Sequence, residues 1–170
     1  MSTIITTATI MAMYLNAAGS ANSQYAYNAD IENGQVSTMY VMNKSGKSLS
    51  GKLKYSYTYD AAGRLTAKTA SRYNSLTGKY VPAFRLDFSY TADGYAVERC
   101  TWNSRSKSFN RPDSRTEYRH EMSNVMAVTN YEWSDAEGKM LTVDNMLVMT
   151  QANEYLLLSL IHISEPTRPY

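Results

Sequence analysis

The chain carries one cysteine, Cys100, and two histidines, His120 and His162. A single thiol excludes an internal disulfide and a zinc site built on four thiolates. So few imidazoles leave a histidine-based triad or a zinc centre dependent on unusual partners. No glycine loop shaped to cradle phosphate, no Cys-x-x-Cys pair and no nucleophile elbow occurs. Neither charge prevails: seventeen Lys+Arg against fifteen Asp+Glu leave +2, too little to name a polyanionic partner. Proline and glycine are sparse as well. Tyrosine fills the gap with 15 copies, and with Thr, Ser and Val it favours strands over helices. The 170 residues suit one domain that buries roughly two-thirds of its unfolded surface.

No apolar run is long enough to span a bilayer. The stretch Ile4 to Leu15 is short and Thr-rich, and it ends in small residues with Gly19 and Ala21 in an A-x-A-like setting. Residues 1–21 therefore predict a secretory signal peptide cleaved after Ala21. Its n-region lacks Lys and Arg, and no Cys follows the cleavage point to carry a lipid anchor. The expected address is the periplasm, the cell surface or the medium. A buried N-terminal helix is the competing structural reading.

Between Asn22 and Leu157 the chain repeats. Gly34, Gly63, Gly94 and Asn124 lie 29, 31 and 30 residues apart, and each accepts the left-handed conformation of a tight hairpin turn. A second set of turns interleaves near residues 43, 74, 103 and 134. Each is flanked by large side chains seven positions apart: Met42 and Leu49, Tyr73 and Tyr80, Trp102 and Phe109, Trp133 and Met140. Such spacing predicts cross-strand pairs. In YSYTYDAAGRLTAKT, pairing Asp60 with Arg64 sets Tyr59 against Leu65, Tyr57 against Ala67 and Tyr55 against Thr69. Ser56, Thr58, Arg64, Thr66 and Lys68 then share the polar face. The same alignment applied to LDFSYTADGYAVERCTW puts Glu98 on the aromatic face and Tyr95 and Val97 on the other. These patterns predict an all-β fold: an antiparallel meander of about eight to ten strands in four hairpin repeats, its strands about five to nine residues long. The sheet is expected to curl so that its tyrosine face is buried.

The segment carrying Tyr57, Tyr59, Asp60, Gly63, Arg64 and Leu65 resembles the YD repeat of Rhs-type and teneurin-type shells, and FSYTADGYAVE is a degraded copy. Four copies cannot enclose a toxin as those shells do. The whole chain is more similar to small secreted Bacteroidetes proteins of a family of unassigned function, DUF3836. That resemblance implies the fold and export, and no catalytic residue.

Binding candidates come from Arg99 to Arg119, where basic residues interleave with Trp102, Phe109 and Tyr118. Arg99, Arg105, Lys107, Arg111, Arg115 and Arg119 are the expected contact residues for a glycan, by charge and ring stacking. Nucleic acid is not an expected partner of an exported protein. The plainer account is a solvated strand face whose charges discourage edge-to-edge pairing. Trp102 and Trp133 occupy equivalent repeat positions and are expected to pack. His120, on a strand with Glu117 and Glu121 facing away, forms no local acid–base pair. Asp87, Asp93, Glu98, Glu132 and Asp135 are available for glycoside hydrolysis, but none sits in a recognisable setting. The expected function is a non-enzymatic envelope or secreted module that binds a glycan or a protein, without cofactor or metal. The alternatives are a carbohydrate-active enzyme with strand-borne acids and a purely structural assembly protein.

The last residues, Leu158 to Tyr170, break the repeat, and Leu158 to Arg168 resembles a translated sequencing adapter. They are taken as an artefactual tail that truncates the domain at Leu157, and His162 leaves every functional argument.

Overall fold

The computed structural model describes residues 4–20, 23–122 and 124–149. Ala21 and the tail from Leu158 to Tyr170 lie outside them. A single sheet of nine antiparallel strands runs in strict chain order: β1 (Tyr25–Glu32), β2 (Gln35–Ser45), β3 (Ser48–Tyr59), β4 (Leu65–Asn74), β5 (Lys79–Tyr90), β6 (Gly94–Asn103), β7 (Ser108–Met122), β8 (Val125–Ser134) and β9 (Lys139–Met149). The all-β meander is as expected. Among the described residues the sheet does not close, and β1 and β9 are its two edges. Strands of 8 to 15 residues are longer than anticipated, because loops of two to five residues leave most of each repeat as strand.

Three of the four seven-residue pairs form as predicted: Tyr73 with Tyr80, Trp102 with Phe109 and Trp133 with Met140. The rings of the first two meet edge-on at 5.2 and 5.0 Å. Met42 instead faces Gly51, and Leu49 faces Lys44. Gly46 lies three residues after Asn43, whereas Gly78 lies four after Asn74, so the first loop has only two residues. Gly51 also leaves room for the neighbouring pair: a Cβ there would lie 2.8 Å from the Tyr73 ring.

The β3–β4 hairpin begins in the predicted register, with Tyr59 opposite Leu65. A bulge then intervenes, so that Tyr57 faces Lys68 and Tyr55 faces Ala70. One extra residue reverses every later side chain on its strand. Lys68, expected on the polar face, lies over the Tyr55 ring at 4.3 Å. The tyrosine face of β3 is buried nonetheless, with Tyr55 and Tyr57 in one core with Val36, Met39, Val41, Leu65, Ala70, Leu86, Phe88 and Tyr95.

In the β5–β6 hairpin the loop is one residue shorter than the repeat alignment requires. Tyr90 pairs with Tyr95 and Phe88 with Val97. Tyr95 and Val97 thus join the aromatic face and Glu98 leaves it, the reverse of the alignment. Of the glycine turn markers, Gly34 and Gly63 take positive φ (75° and 73°), whereas Gly94 does not.

Residues ahead of the sheet form a helix, α1 (Thr7–Ala18). Thr6 and Thr9 make a capping box at its start. Ile5 and Ile10 are 3% and 2% exposed and belong to the sheet's core. Among the described residues no helix is long and apolar enough to cross a membrane, which says nothing of strands.

Candidate functional site

The six basic residues singled out in the sequence do not form one strip. Alternation along β6 and β7 puts them on both faces of the sheet and on a turn. Arg99 stands opposite Leu86 and Ser114, its guanidinium 5.3 Å from the Phe84 ring and 2.9 Å from Asp113. Arg115 lies on the other face, bonded to Glu98 at 2.7 Å and Glu117 at 2.8 Å. Arg119 pairs with Glu121 at 2.8 Å, and Arg111 pairs with Asp135 while covering the Trp133 ring at 4.0 Å. Arg105 and Lys107 occupy the exposed β6–β7 turn and make no ion pair with any described residue. Four of the six charges are therefore neutralised locally, and two remain for an anionic group.

On one face, Asp87, Glu98, Arg115 and Tyr131 stand opposite one another across β5 to β8, forming a single cross-strand row. Arg85 bonds Asp87, and the Tyr131 hydroxyl donates to Glu117 at 3.2 Å. The repeat alignment, one residue out of register in this hairpin, put Glu98 on the aromatic face and so did not show that Asp87 and Glu98 meet. Both are held by arginines on an open sheet face, with side chains about one-third exposed.

A hollow of about 540 Å³ opens near the second set of turns, lined by Tyr55, Tyr73, Phe84, Lys52, Arg72 and Asn43 among others. The sequence reading missed it. Its floor depends on Gly51 and on the packing of Tyr73 against Tyr80, which join two hairpins.

This geometry can be set beside known proteins. The profile of DUF3836, a family of unknown function, matches residues 1–120. The chain belongs to that family. It is similar to the crystal structure of a DUF3836 family protein from Bacteroides vulgatus ATCC 8482, with 26% identity and a TM-score of 0.50 over 51% of this chain and 89% of that one. A protein with unknown function from Bacteroides fragilis NCTC 9343 shares the fold at 19% identity, with a TM-score of 0.66 over 75% of this chain and 94% of that one. No curated protein matches the chain.

In this DUF3836 protein Cys100 is buried on the face of Arg85 and Asp87, its Sγ 3.7 Å from Asp87 Oδ2. Burial pushes the thiol above its ordinary pKa, which keeps the thiolate scarce at neutral pH. His120 is half-buried on β7 opposite Met126, and its amide bonds the Asp93 carbonyl at 2.8 Å. Among the described residues no group of three or more His, Cys, Asp or Glu could hold a metal ion.

Proposed function

We propose that the protein is an exported, non-enzymatic module of the cell envelope or the medium that binds a glycan or a protein partner. The observation that carries this reading is the hollow lined by Tyr55, Tyr73 and Phe84, with Lys52, Arg72 and Asn43 among them. Rings give flat apolar contact and the polar groups fix orientation, the usual division of labour in a ligand site. Arg105 and Lys107 add cations on the β6–β7 turn, at the same end of the strands as the hollow. The likeness of the β3–β4 tip to a YD repeat is supported by Asp60, whose carboxylate bonds the Ala62 and Arg64 amides and the Arg64 side chain. Isothermal titration of the exported protein with envelope polysaccharides and heparin-like chains tests the reading. A Tyr73→Ala, Arg72→Ala pair is expected to weaken binding at least about tenfold. Unchanged affinity in that variant would sink the hollow as the site.

An assembly role is the second reading, favoured by one specific feature. Strand β9, which has one neighbouring strand among the described residues, exposes Val143, Met146, Leu147 and Met149, which invites pairing with another copy. Sedimentation across a hundredfold range of concentration, on the order that weak association requires, separates the two. A monomer throughout removes the assembly reading.

A further inference from the structure

The tip of the β3–β4 hairpin holds a segment of chain that the sequence marks for removal. β5 pairs with β4 only as far as Ala67, so the carbonyl of Gly63 and the amide of Leu65 find their partners elsewhere. Thr7 donates its amide to the Gly63 carbonyl at 3.0 Å, and Leu65 donates to the Ile5 carbonyl at 2.8 Å. The Tyr90 hydroxyl stands 3.1 Å from the same Ile5 carbonyl. An isolated antiparallel bridge, Thr6 opposite Arg64, is thereby added at the sheet's hairpin tip. The chain then turns into α1 through the Thr6–Thr9 capping box, and Ile5 and Ile10 enter the core beside Val36 and Leu65.

Two independent observations meet at this seat. The occupant has the short apolar, small-residue-ended composition of an export leader. The seat itself is built from elements that do not include it. Asp60 Oδ1 accepts the Ala62 and Arg64 amides at 2.9 Å each, and Asp60 Oδ2 accepts from Arg64 Nε at 2.7 Å. Arg64 in turn covers the Tyr90 ring at 5.2 Å, and the Tyr59 hydroxyl bonds the Val36 carbonyl at 2.9 Å. The residues that resemble a YD repeat thus frame this seat. Vacating it would leave Val36 and Leu65, both 0% exposed, facing water beside an open amide and carbonyl. Apolar surface with unpaired strand groups is the usual mark of a peptide-docking site.

We propose that Ile5–Ala18 is a stand-in, and that the seat, once the leader is gone, takes the same kind of segment from a partner protein. That ligand is a short extended lead-in like Ile5 and Thr6, the first residue apolar, running directly into an apolar helix of about three turns. This rests on the export reading above and adds to it a second site, distinct from the hollow. The lead-in supplies the carbonyl that Leu65 requires, the first helical residue supplies the amide that Gly63 requires, and the helix carries an apolar side chain five positions on from the first residue to replace Ile10.

The test uses the full chain with a site-specific protease sequence inserted after Ser20, folded first and cut afterwards. A labelled synthetic peptide spanning Ile4 to Gly19, with a lysine tag for solubility, is then added and followed by fluorescence anisotropy. Saturable exchange into the cut protein is expected, with Ile5→Asp and Ile10→Asp peptides at least about tenfold weaker. Three results would overturn the proposal: no exchange with unfolding once the segment leaves, equal binding by the Asp peptides, or self-association of the vacated chain that excludes the peptide. Intact mass of the protein recovered from an exporting host is read separately. A chain that still begins at Met1 defeats the export reading whatever the peptide does. A chain beginning at Asn22 with no peptide binding defeats the docking site alone.

Discussion

The β3–β4 and β5–β6 hairpins occupy equivalent places in the repeat, and each has a glycine there, but for opposite reasons. Gly63 takes a φ of 73°, and the nearest atom to an added Cβ would be 3.7 Å away. Conformation alone requires glycine at that position. Gly94 needs no left-handed backbone, yet an added Cβ would lie 1.8 Å from the Tyr118 carbonyl oxygen of β7. Close approach of a third strand requires it there. The loops differ accordingly: the first pairs Tyr59 with Leu65, the second Tyr90 with Tyr95. One repeat position therefore encodes a turn without encoding its register.

The largest effect is expected where the two hairpins fail together, at high pH. Burial pushes the Tyr59 and Tyr90 phenols up to about 12 and those of Tyr57 and Tyr95 further still. Below pH of about 10 all four are neutral in both states, so the stabilisation is fully present. Above it the unfolded chain ionises first, and stability falls as pH climbs through the folded values. Circular dichroism and tyrosinate absorbance should change in one cooperative step above about pH 10; simple titration without loss of strand signal would show the rings to be accessible.

Gly94→Ala comes next. Its Cβ meets backbone that cannot yield as a side chain can, so urea unfolding should show a loss above about 3 kcal/mol. Gly63→Ala should cost only about 1 kcal/mol, the penalty of a left-handed alanine. Equal losses at the two positions would erase the comparison. Asp60→Asn sharpens it from the electrostatic side. The Arg64 backbone amide, then its side chain, holds the Asp60 carboxyl below its usual pKa. Its contribution is present above about pH 4 and is lost as pH falls through the folded value. The variant should be slightly less stable at neutral pH and should lose part of the acid dependence, whereas no equivalent carboxylate serves the Gly94 turn. The smallest effect is a gain. Lys107 takes a φ of 50° where the matching turns have Gly78 and Gly138 at 67° and 64°. Lys107→Gly relieves that strain and should stabilise by roughly 0.5 kcal/mol, net of the added freedom of the unfolded chain. A loss instead would mean that the Lys107 side chain holds the turn.

Much of the fold was legible because its signals are local. Alternating tyrosines on β3 predicted the buried face, and three aromatic or apolar pairs across the second set of turns follow from spacing alone. Lys68 was misplaced because a bulge at the neighbouring residues leaves no mark in composition. The candidate site was less legible. Arg99 and Arg115 look alike in the chain, yet they stand on opposite faces with Asp113 and Glu98 as partners. The hollow around Tyr73 was invisible because it depends on Gly51, two strands' pairing and Phe84 together.

The amino-acid order by itself determined an all-β meander, its turn positions and its aromatic pairs, since each rests on side chains within a few residues of one turn. Tertiary structure decided the register beyond each bulge, the burial of Ile5 and Ile10 in the sheet's core and the neutralisation of four arginines. Those outcomes depend on which strands approach one another, and a shift of one residue at a loop exchanges the two faces of everything that follows.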